Sequence, residues 1–195
     1  MNNSQKAYEL GQSIWYDNIQ RKLLEDGTMK KMVDDGLIYG VTSNPSIFNK
    51  AIGQSDEHDD DLLPLAEAGK RATEIFDTLA VEDIRATADL LRSHYDATNG
   101  ADGYVSLEVN PDLANDSEAT AAEAKRLWTL VDRPNLMVKI PATKEGLPAI
   151  QQATAAGINV NVTLIFSRTR YAEVMEAYIA GLEERVEAGE AIENV

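Results

Sequence analysis

The sequence contains no cysteine and only two histidines among its 195 residues. Without cysteine the chain forms no disulfide and offers no thiolate ligand, which is typical of proteins from the reducing cytoplasm. Protein zinc sites use three or four ligands, usually including several histidines or cysteines, so a zinc hydrolase is disfavoured. We interpret His58 and His94 as ordinary surface histidines, because no third partner accompanies them in the sequence.

Basic residues are also scarce. Lys and Arg total 18 against 33 Asp and Glu, which gives a net charge of −15. An acidic surface repels nucleic acid and anionic membranes, so neither is expected as a partner. No apolar run approaches the 18 residues of a membrane span, and the polar N-terminus lacks the apolar core of a signal peptide. We therefore expect a soluble, cytoplasmic protein.

Short apolar segments alternate with longer helical patterns along the whole chain. Strands are predicted near residues 13–17, 37–42, 104–109, 137–140 and 158–164. Helical patterns fill the intervals; the longest covers 46–99, and another amphipathic helix follows the fifth strand. Strands that alternate with helices indicate βαβ units and a parallel sheet. The acidic run 56–61 matches no calcium-binding loop, and we interpret it as the solvated start of a helix, where carboxylates are favoured.

Lys139 lies in the middle of the predicted fourth strand. Met137, Val138 and Ile140 mark this segment as buried, and lysine is rarely buried without a partner. Burial disfavours the cationic form of a lysine and leaves more of the neutral amine, which adds to ketones and aldehydes. One interpretation is therefore a Schiff-base lysine. The other is a lysine that reaches solvent from a strand end, and the residue taken alone favours this second interpretation.

Polar residues recur on one face of the predicted strands, toward their C-terminal ends. They are Asp17 in the first strand, Thr42 and Asn44 in and after the second, Ser106 and Glu108 in the third, Lys139 in the fourth, and Asn161 and Thr163 in the fifth. A sheet covered by helices on both faces is expected to be apolar on both. A closed (β/α) barrel accounts for the pattern, because its inner face opens on an active site at the strand C-termini. We therefore predict an α/β fold of the TIM (β/α)8 barrel type.

Four segments carry a family resemblance. They read GVTSNPSIF at 40–48, VSLEV at 105–109, MVKIPAT at 137–143 and GINVNVTLIFS at 157–167. With all four in this order, the sequence resembles the transaldolases, Schiff-base enzymes of the class I aldolase superfamily, over essentially its whole length. The resemblance is closest to the longer bacterial branch, some of whose members are fused to glucose-6-phosphate isomerase.

The resemblance implies an activity and a set of roles. The activity is transfer of a dihydroxyacetone unit from sedoheptulose 7-phosphate to glyceraldehyde 3-phosphate, giving erythrose 4-phosphate and fructose 6-phosphate, in the pentose phosphate pathway. This chemistry needs neither a metal nor an organic cofactor. The implied roles are Lys139 as the Schiff-base residue, Glu108 and Thr163 as the pair that holds a water and relays protons, Asp17 as the acid/base of carbon–carbon cleavage, Asn44 and Asn161 as amides that bind substrate hydroxyls, and Thr42 and Ser43 as residues that shape the pocket.

The sequence departs from the family pattern in its extent. Only about the first five β/α units are recognisable, with a helical insertion at roughly 46–100, so residues 1–195 read as a partial barrel. The strand that carries the family's Ser and Arg phosphate clamp is absent, and we interpret Arg168 and Arg170 as surface or packing residues rather than a substitute. An open five-stranded sheet would expose two edges. Our hypothesis is therefore that this chain is a fragment of a longer transaldolase.

Two alternatives remain open. A fructose-6-phosphate aldolase would share the chemistry but release the three-carbon unit instead of transferring it. An inactive fragment would need a second polypeptide to complete the barrel. A phosphate-loop nucleotide binder is disfavoured, because the sequence has neither Gly-x-Gly-x-x-Gly nor the lysine-containing phosphate loop.

Overall fold

The computed structural model describes residues 1–193 and 195, and it confirms the α/β class with alternating strands and helices. The elements are α1 (Asn3–Glu9), β1 (Trp15–Asp17), α2 (Arg21–Glu25), α3 (Thr28–Asp34), β2 (Gly40–Thr42), α4 (Pro45–Gly53), α5 (Asp59–Glu67), α6 (Ala72–Ala97), β3 (Val105–Glu108), α7 (Ser117–Val131), β4 (Leu136–Pro141), α8 (Gly146–Ala155), β5 (Val160–Thr163) and α9 (Arg168–Glu187). The strands are hydrogen-bonded in chain order, β1-β2-β3-β4-β5. The chain divides into two compact units, Met1–Val105 with Arg133–Asn135, and Ser106–Asp132 with Leu136–Val195.

In the first unit, β1 and β2 pair in parallel, with Trp15 opposite Gly40 and Asp17 opposite Thr42. A side chain at Gly40 would overlap the Trp15 ring, so the indole packs directly on the glycine backbone. The 26-residue helix α6 supplies the largest apolar face of this unit. Its core includes Ile19, Met29, Val41, Phe48, Leu79, Ile84, Ala88 and Leu91, all at most 1% exposed.

In the second unit, β4 and β5 pair in parallel, with Lys139 opposite Asn161 and Pro141 opposite Thr163. Helix α7 begins at Ser117, because the Asp116 side chain accepts a hydrogen bond from the Ala119 amide and caps the helix. The apolar face of β4 is fully buried, as alternation requires. The core of this unit includes Val109, Val131, Leu136, Val138, Ile140, Ala149 and Ile150, all 0% exposed.

The structure contains one helix that was not predicted, and it corrects the interpretation of the histidines. The unpredicted helix is α1, before β1, whose first turn is closed by reciprocal hydrogen bonds between Asn2 and Gln5. The interpretation of both histidines as surface residues is wrong. His58 is 1% exposed, and His94 lies against the rings of Tyr8 and Tyr39 with only 20% of its side chain exposed.

Two further helices were predicted from the sequence and are present in the structure. The acidic run does begin a helix, since Asp59, Asp60 and Asp61 occupy the first turn of α5. The helix predicted after β5 is α9, but most of its apolar stripe is exposed in this chain, including Tyr171 at 55% and Val186 at 60%. Among the described helices, none combines the length and apolar character needed to cross a membrane.

Candidate active site

Lys139 is placed by β4 on the face opposite the buried Val138 and Ile140. Its side chain is 12% exposed, so the amine lies mostly away from solvent, as the buried-strand interpretation requires. Lys139 forms an ion pair with Glu108, with 3.7 Å between Lys139 Nζ and Glu108 Oε2. The Lys139 side chain is therefore held close to the sheet, beside Glu108, rather than extended into solvent.

Glu108 is the last residue of β3, and the backbone explains its proximity to the lysine. The Val109 amide donates a hydrogen bond to the Lys139 carbonyl at 3.0 Å, which sets the two strands side by side at this level. The Glu108 side chain is only 12% exposed. Burial raises the pKa of the Glu108 carboxyl above its ordinary value, and the nearby Lys139 opposes part of that rise. A carboxyl group in this environment holds its proton to higher pH, which suits proton exchange with a neighbouring amine.

Asn161 and Thr163 share the Lys139 face of the sheet, because Asn161 lies opposite Lys139 in the register and Thr163 lies two residues further along β5. The Asn161 Nδ2 group donates to the hydroxyl of Ser106 at 3.2 Å, which fixes the carboxamide and directs its oxygen away from that bond. Ser106 is fully buried. The sequence pattern placed Ser106 on this face but gave it no role, and the alternation of β3 was the available signal.

In the first unit, Asp17 ends β1 and lies beside Thr42 in the parallel register. The Asp17 residue is exposed, whereas Thr42 is half-buried. Ser43, which alternates to the opposite side of the strand, is fully buried. Asp17 and Thr42 therefore lie together at the C-terminal end of the β1–β2 pair, and Ser43 supports that edge from within the core.

Asn44 connects β2 to α4 and caps that helix. Its side chain Oδ1 accepts a hydrogen bond from the Ile47 amide at 3.0 Å, and Pro45 follows at the first helical position. Because the oxygen is used by the cap, the Nδ2 group is oriented as the available hydrogen-bond donor. The two predicted hydroxyl-binding amides thus differ: Asn44 uses its oxygen in the fold, and Asn161 uses its nitrogen.

The structure thus assembles Lys139, Glu108, Asn161 and Thr163 in the second unit, and Asp17, Thr42, Ser43 and Asn44 in the first. A poorly solvated amine beside a carboxyl group with a raised pKa has the components for forming and hydrolysing an imine. Among residues 1–193 and 195, no group of three or more histidine or acidic side chains is arranged to hold a metal ion.

A protein-family model described as transaldolase/fructose-6-phosphate aldolase matches residues 14–191. The chain belongs to this family. The match covers every predicted site residue, from Asp17 to Thr163, and it agrees with the four motifs that carried the resemblance. Membership also fixes the fold class as that of the family's (β/α) barrel, of which this chain contains the first five strands.

Individual relatives extend this result. The chain is 50% identical to a transaldolase from Thermobifida fusca over 98% of its own length and 52% of the relative's length. It is 51% identical to transaldolase 1 of Streptomyces avermitilis, over 96% of this chain and 50% of that one. A transaldolase from Acidothermus cellulolyticus is 52% identical over 92% of this chain. The chain therefore spans about half the length of the curated relatives it matches.

Proposed function

We propose that this chain carries the carbon–carbon bond chemistry of a transaldolase, in which a dihydroxyacetone unit passes between sugar phosphates through a Schiff base on Lys139. The observation that carries the proposal is the Lys139–Glu108 pair, 3.7 Å apart and 12% exposed at both side chains, in a member of the family. The substrates proposed are sedoheptulose 7-phosphate and glyceraldehyde 3-phosphate, with erythrose 4-phosphate and fructose 6-phosphate as products. No metal or organic cofactor is required, because the protonated imine itself accepts the electron pair.

In the first stage, the Lys139 amine attacks the C2 carbonyl of the ketose phosphate. The carbonyl oxygen gains a proton, the nitrogen loses one, and a carbinolamine results. Loss of water then gives the protonated imine. Glu108 and Thr163 are proposed to relay these protons through a bound water, and the raised pKa of Glu108 supports this role because the carboxyl must both donate and accept near neutral pH.

In the second stage, Asp17 takes the proton from the C4 hydroxyl. The C3–C4 bond breaks, its electron pair moves toward the imine nitrogen, and the aldose phosphate leaves while an enamine remains on Lys139. Addition of the enamine to the aldehyde of a second aldose phosphate reverses these steps, and hydrolysis of the new imine releases the product. Asn44 and Asn161 are proposed to hold the hydroxyls of the three-carbon fragment, one as donor and the other as acceptor.

The phosphate-binding part of the barrel is proposed to lie outside these 195 residues. The relatives that match are about twice as long as this chain. Arg168 and Arg170, interpreted as surface or packing residues, begin α9, where Arg170 pairs with Glu173 at 3.1 Å. An intact mass of the native protein well above 21.4 kDa would support this division. A stable, monodisperse monomer of 21.4 kDa that transfers dihydroxyacetone would contradict it.

A cytoplasmic location is proposed as well, since phosphorylated sugars are retained there.

A fructose-6-phosphate aldolase is the second candidate, because the matching family model is described by both activities. The two are separated by the acceptor. A transaldolase releases the three-carbon unit only when an aldose phosphate accepts it, whereas an aldolase releases free dihydroxyacetone at a rate independent of acceptor.

The test is borohydride reduction in the presence of fructose 6-phosphate, followed by intact mass and peptide mapping. A reduced adduct on the peptide that contains Lys139, absent from Lys139→Ala, is the expected result. The control is Lys144→Ala, which removes an exposed lysine from the loop after β4 and leaves the adduct in place. Absence of any adduct from folded native protein would overturn the proposal.

A further inference from the structure

A buried charge cluster in the first unit lies outside all of the roles described so far. It consists of His58, Asp83 and Arg21. Asp83 is 1% exposed and lies on α6, and its two carboxylate oxygens are divided between the other two members. Oδ2 lies 2.8 Å from His58 Nε2, and Oδ1 accepts a hydrogen bond from Arg21 Nε, also at 2.8 Å.

The His58 ring is held on both sides. Its Nδ1 lies 3.1 Å from the Ala51 carbonyl oxygen, which accepts but cannot donate. Its Nε2 faces Asp83, whose other oxygen is bonded to the permanently charged Arg21 guanidinium. The cluster therefore joins the His58 ring and the Arg21 guanidinium through one buried carboxylate.

Arg21 extends this cluster to the start of α2. Beyond Asp83, its guanidinium pairs with Asp61 on α5 and with Glu82 on α6. The next amide, that of Lys22, donates to the Glu57 carboxylate at 3.2 Å. Helix α2 has only five residues and no side-chain cap, so its own hydrogen bonds cannot hold it in place. Its first turn is instead fixed by contacts from α6 and from the segment around α5.

Arg21 follows closely after Asp17 in the sequence, so the contacts that fix Arg21 also restrict the segment that leads back to Asp17. Asp17 ends β1, and only Asn18, Ile19 and Gln20 separate it from Arg21. This three-residue connection is held by the β-sheet at one end, by the cluster at the other, and by the fully buried Ile19 between them. A shift of Arg21 would therefore be transmitted through this connection to Asp17, which is exposed at the end of the strand.

We propose that His58, Asp83 and Arg21 are positioning residues that hold the Asp17 carboxylate in place for carbon–carbon bond cleavage; the proposal rests on the transaldolase function proposed above. The cluster touches no substrate. Its effect is confined to the step that uses Asp17, and imine formation on Lys139 proceeds without it.

The test compares Asp83→Asn with a matched variant, Asp89→Asn. Both residues are aspartates of α6 that accept a hydrogen bond from an arginine Nε, but Asp89 pairs with Arg133 at 2.6 Å and is not connected to α2. Native-length protein is incubated briefly with fructose 6-phosphate and reduced with borohydride. Intact mass then separates the six-carbon adduct, trapped before cleavage, from the three-carbon adduct that remains after cleavage.

In the wild type and in Asp89→Asn, the three-carbon adduct is expected to predominate. In Asp83→Asn, total adduct is expected to be unchanged, while the ratio of three-carbon to six-carbon adduct falls about tenfold or more, because small displacements of a catalytic group have effects of this size. Asp17→Asn is the positive control and shifts the ratio in the same direction. Equal loss of both adducts in Asp83→Asn would indicate general destabilisation and overturn the proposal, as would an unchanged ratio.

A second measurement keeps the inference separate from the proposed function. Amide hydrogen exchange of residues 18–20 is expected to rise in Asp83→Asn and in Arg21→Lys, but not in Asp89→Asn. If the wild type forms no adduct, the proposed function fails, and unchanged exchange in both cluster variants would then overturn the positioning role as well. Arg21→Lys keeps the charge and is available if Asp83→Asn does not fold.

Discussion

The His58–Asp83–Arg21 cluster of the first unit and the Lys139–Glu108 pair of the second both join a carboxyl group to basic side chains, but they differ in geometry. In the first unit, Asp83 receives two hydrogen bonds of 2.8 Å, one at each carboxylate oxygen. In the second, Glu108 approaches Lys139 only to 3.7 Å, which is longer than a direct hydrogen bond. A carboxylate whose two oxygens are both hydrogen-bonded to basic groups is held as an anion. A carboxyl group that is buried but loosely paired retains the ability to exchange a proton.

The pKa of Glu108 reflects this difference. Burial raises it, and the distant lysine opposes the rise only in part. Perturbed carboxyl groups of this kind are concentrated at functional sites, because most structural carboxylates are stabilised as anions by close partners. The comparison predicts that mutation of Glu108 will act directly on proton transfer, whereas mutation of Asp83 will lower stability and will change activity only through the position of Asp17.

The largest effect is expected from Glu108→Gln. The amide keeps the shape of the side chain but cannot relay a proton, so dihydroxyacetone transfer should fall by roughly 10²- to 10⁴-fold. Steady-state rates with fructose 6-phosphate and an aldose phosphate acceptor measure the change. The matched control is Glu123→Gln, which alters a partly buried glutamate of α7 that is paired with Arg126 at 2.7 Å. A loss of activity equal in both variants would remove Glu108 from the mechanism.

The next effect concerns stability. Removal of the Asp83 carboxylate in Asp83→Ala leaves the mostly buried Arg21 cation without its buried partner and removes the hydrogen-bond partner of His58 Nε2, and loss of one partner of a buried pair costs about 3–5 kcal/mol. Asp89→Ala breaks a pair on the surface of the same helix, and the expected cost is about 1 kcal/mol or less. Urea denaturation followed by circular dichroism gives both values. Equal costs would mean that the buried Asp83 cluster stabilises the fold no more than the exposed Asp89–Arg133 pair does.

How far the sequence predicts the molecule depends on the range of the interactions involved. The burial of β4 follows from its run of apolar residues and is confirmed, and the Asp116 cap at the start of α7 is likewise a local feature. Helix α1 was not predicted because none of its residues is buried, so its sequence has no apolar periodicity to detect. The burial of His58 depends on Asp83, 25 residues away, and no local pattern records that contact.

The candidate site shows the same division. Strand alternation correctly placed Asn161 and Thr163 on the face of Lys139, and the motifs identified the family. The hydrogen bond between Asn161 and Ser106 joins residues 55 positions apart, so the role of Ser106 became visible only in the fold. The catalytic roles themselves remain predictions.

A smaller effect is therefore expected from Ser106→Ala. Without the Ser106 hydroxyl, the Asn161 carboxamide loses an acceptor and the orientation that goes with it, so substrate binding should weaken by about 1 kcal/mol, roughly fivefold in KM for fructose 6-phosphate. Ser117→Ala is the control, since it removes a hydroxyl that donates to the Glu145 carbonyl at 2.6 Å without contacting a predicted site residue. An unchanged KM in Ser106→Ala would show that Asn161 is oriented by other contacts.

The smallest effect is a pH dependence of stability. Because the folded-state pKa of Glu108 is raised above its ordinary value of 4.5, the folded protein retains this proton at pH values where the unfolded chain has lost it. The stabilisation of the fold that comes from this proton is fully present below the ordinary pKa of the unfolded chain. It is lost as the pH rises through the raised pKa of the folded state. In Glu108→Gln this part of the profile should disappear, whereas Glu123→Gln should retain it. Urea midpoints measured across this pH range give the comparison.

The pairing of β4 with β5 also determines which changes of chain length this enzyme family can tolerate. Lys139 lies opposite Asn161, and neighbouring positions on each strand point to opposite faces. One residue inserted between Leu136 and Val138 would exchange the two faces of the strand and move the Lys139 amine to the face covered by helices. One residue added in the loop between α8 and β5 would alter only the connection. Insertions and deletions in natural relatives are therefore expected to accumulate in the connections and to avoid the few positions that precede the lysine.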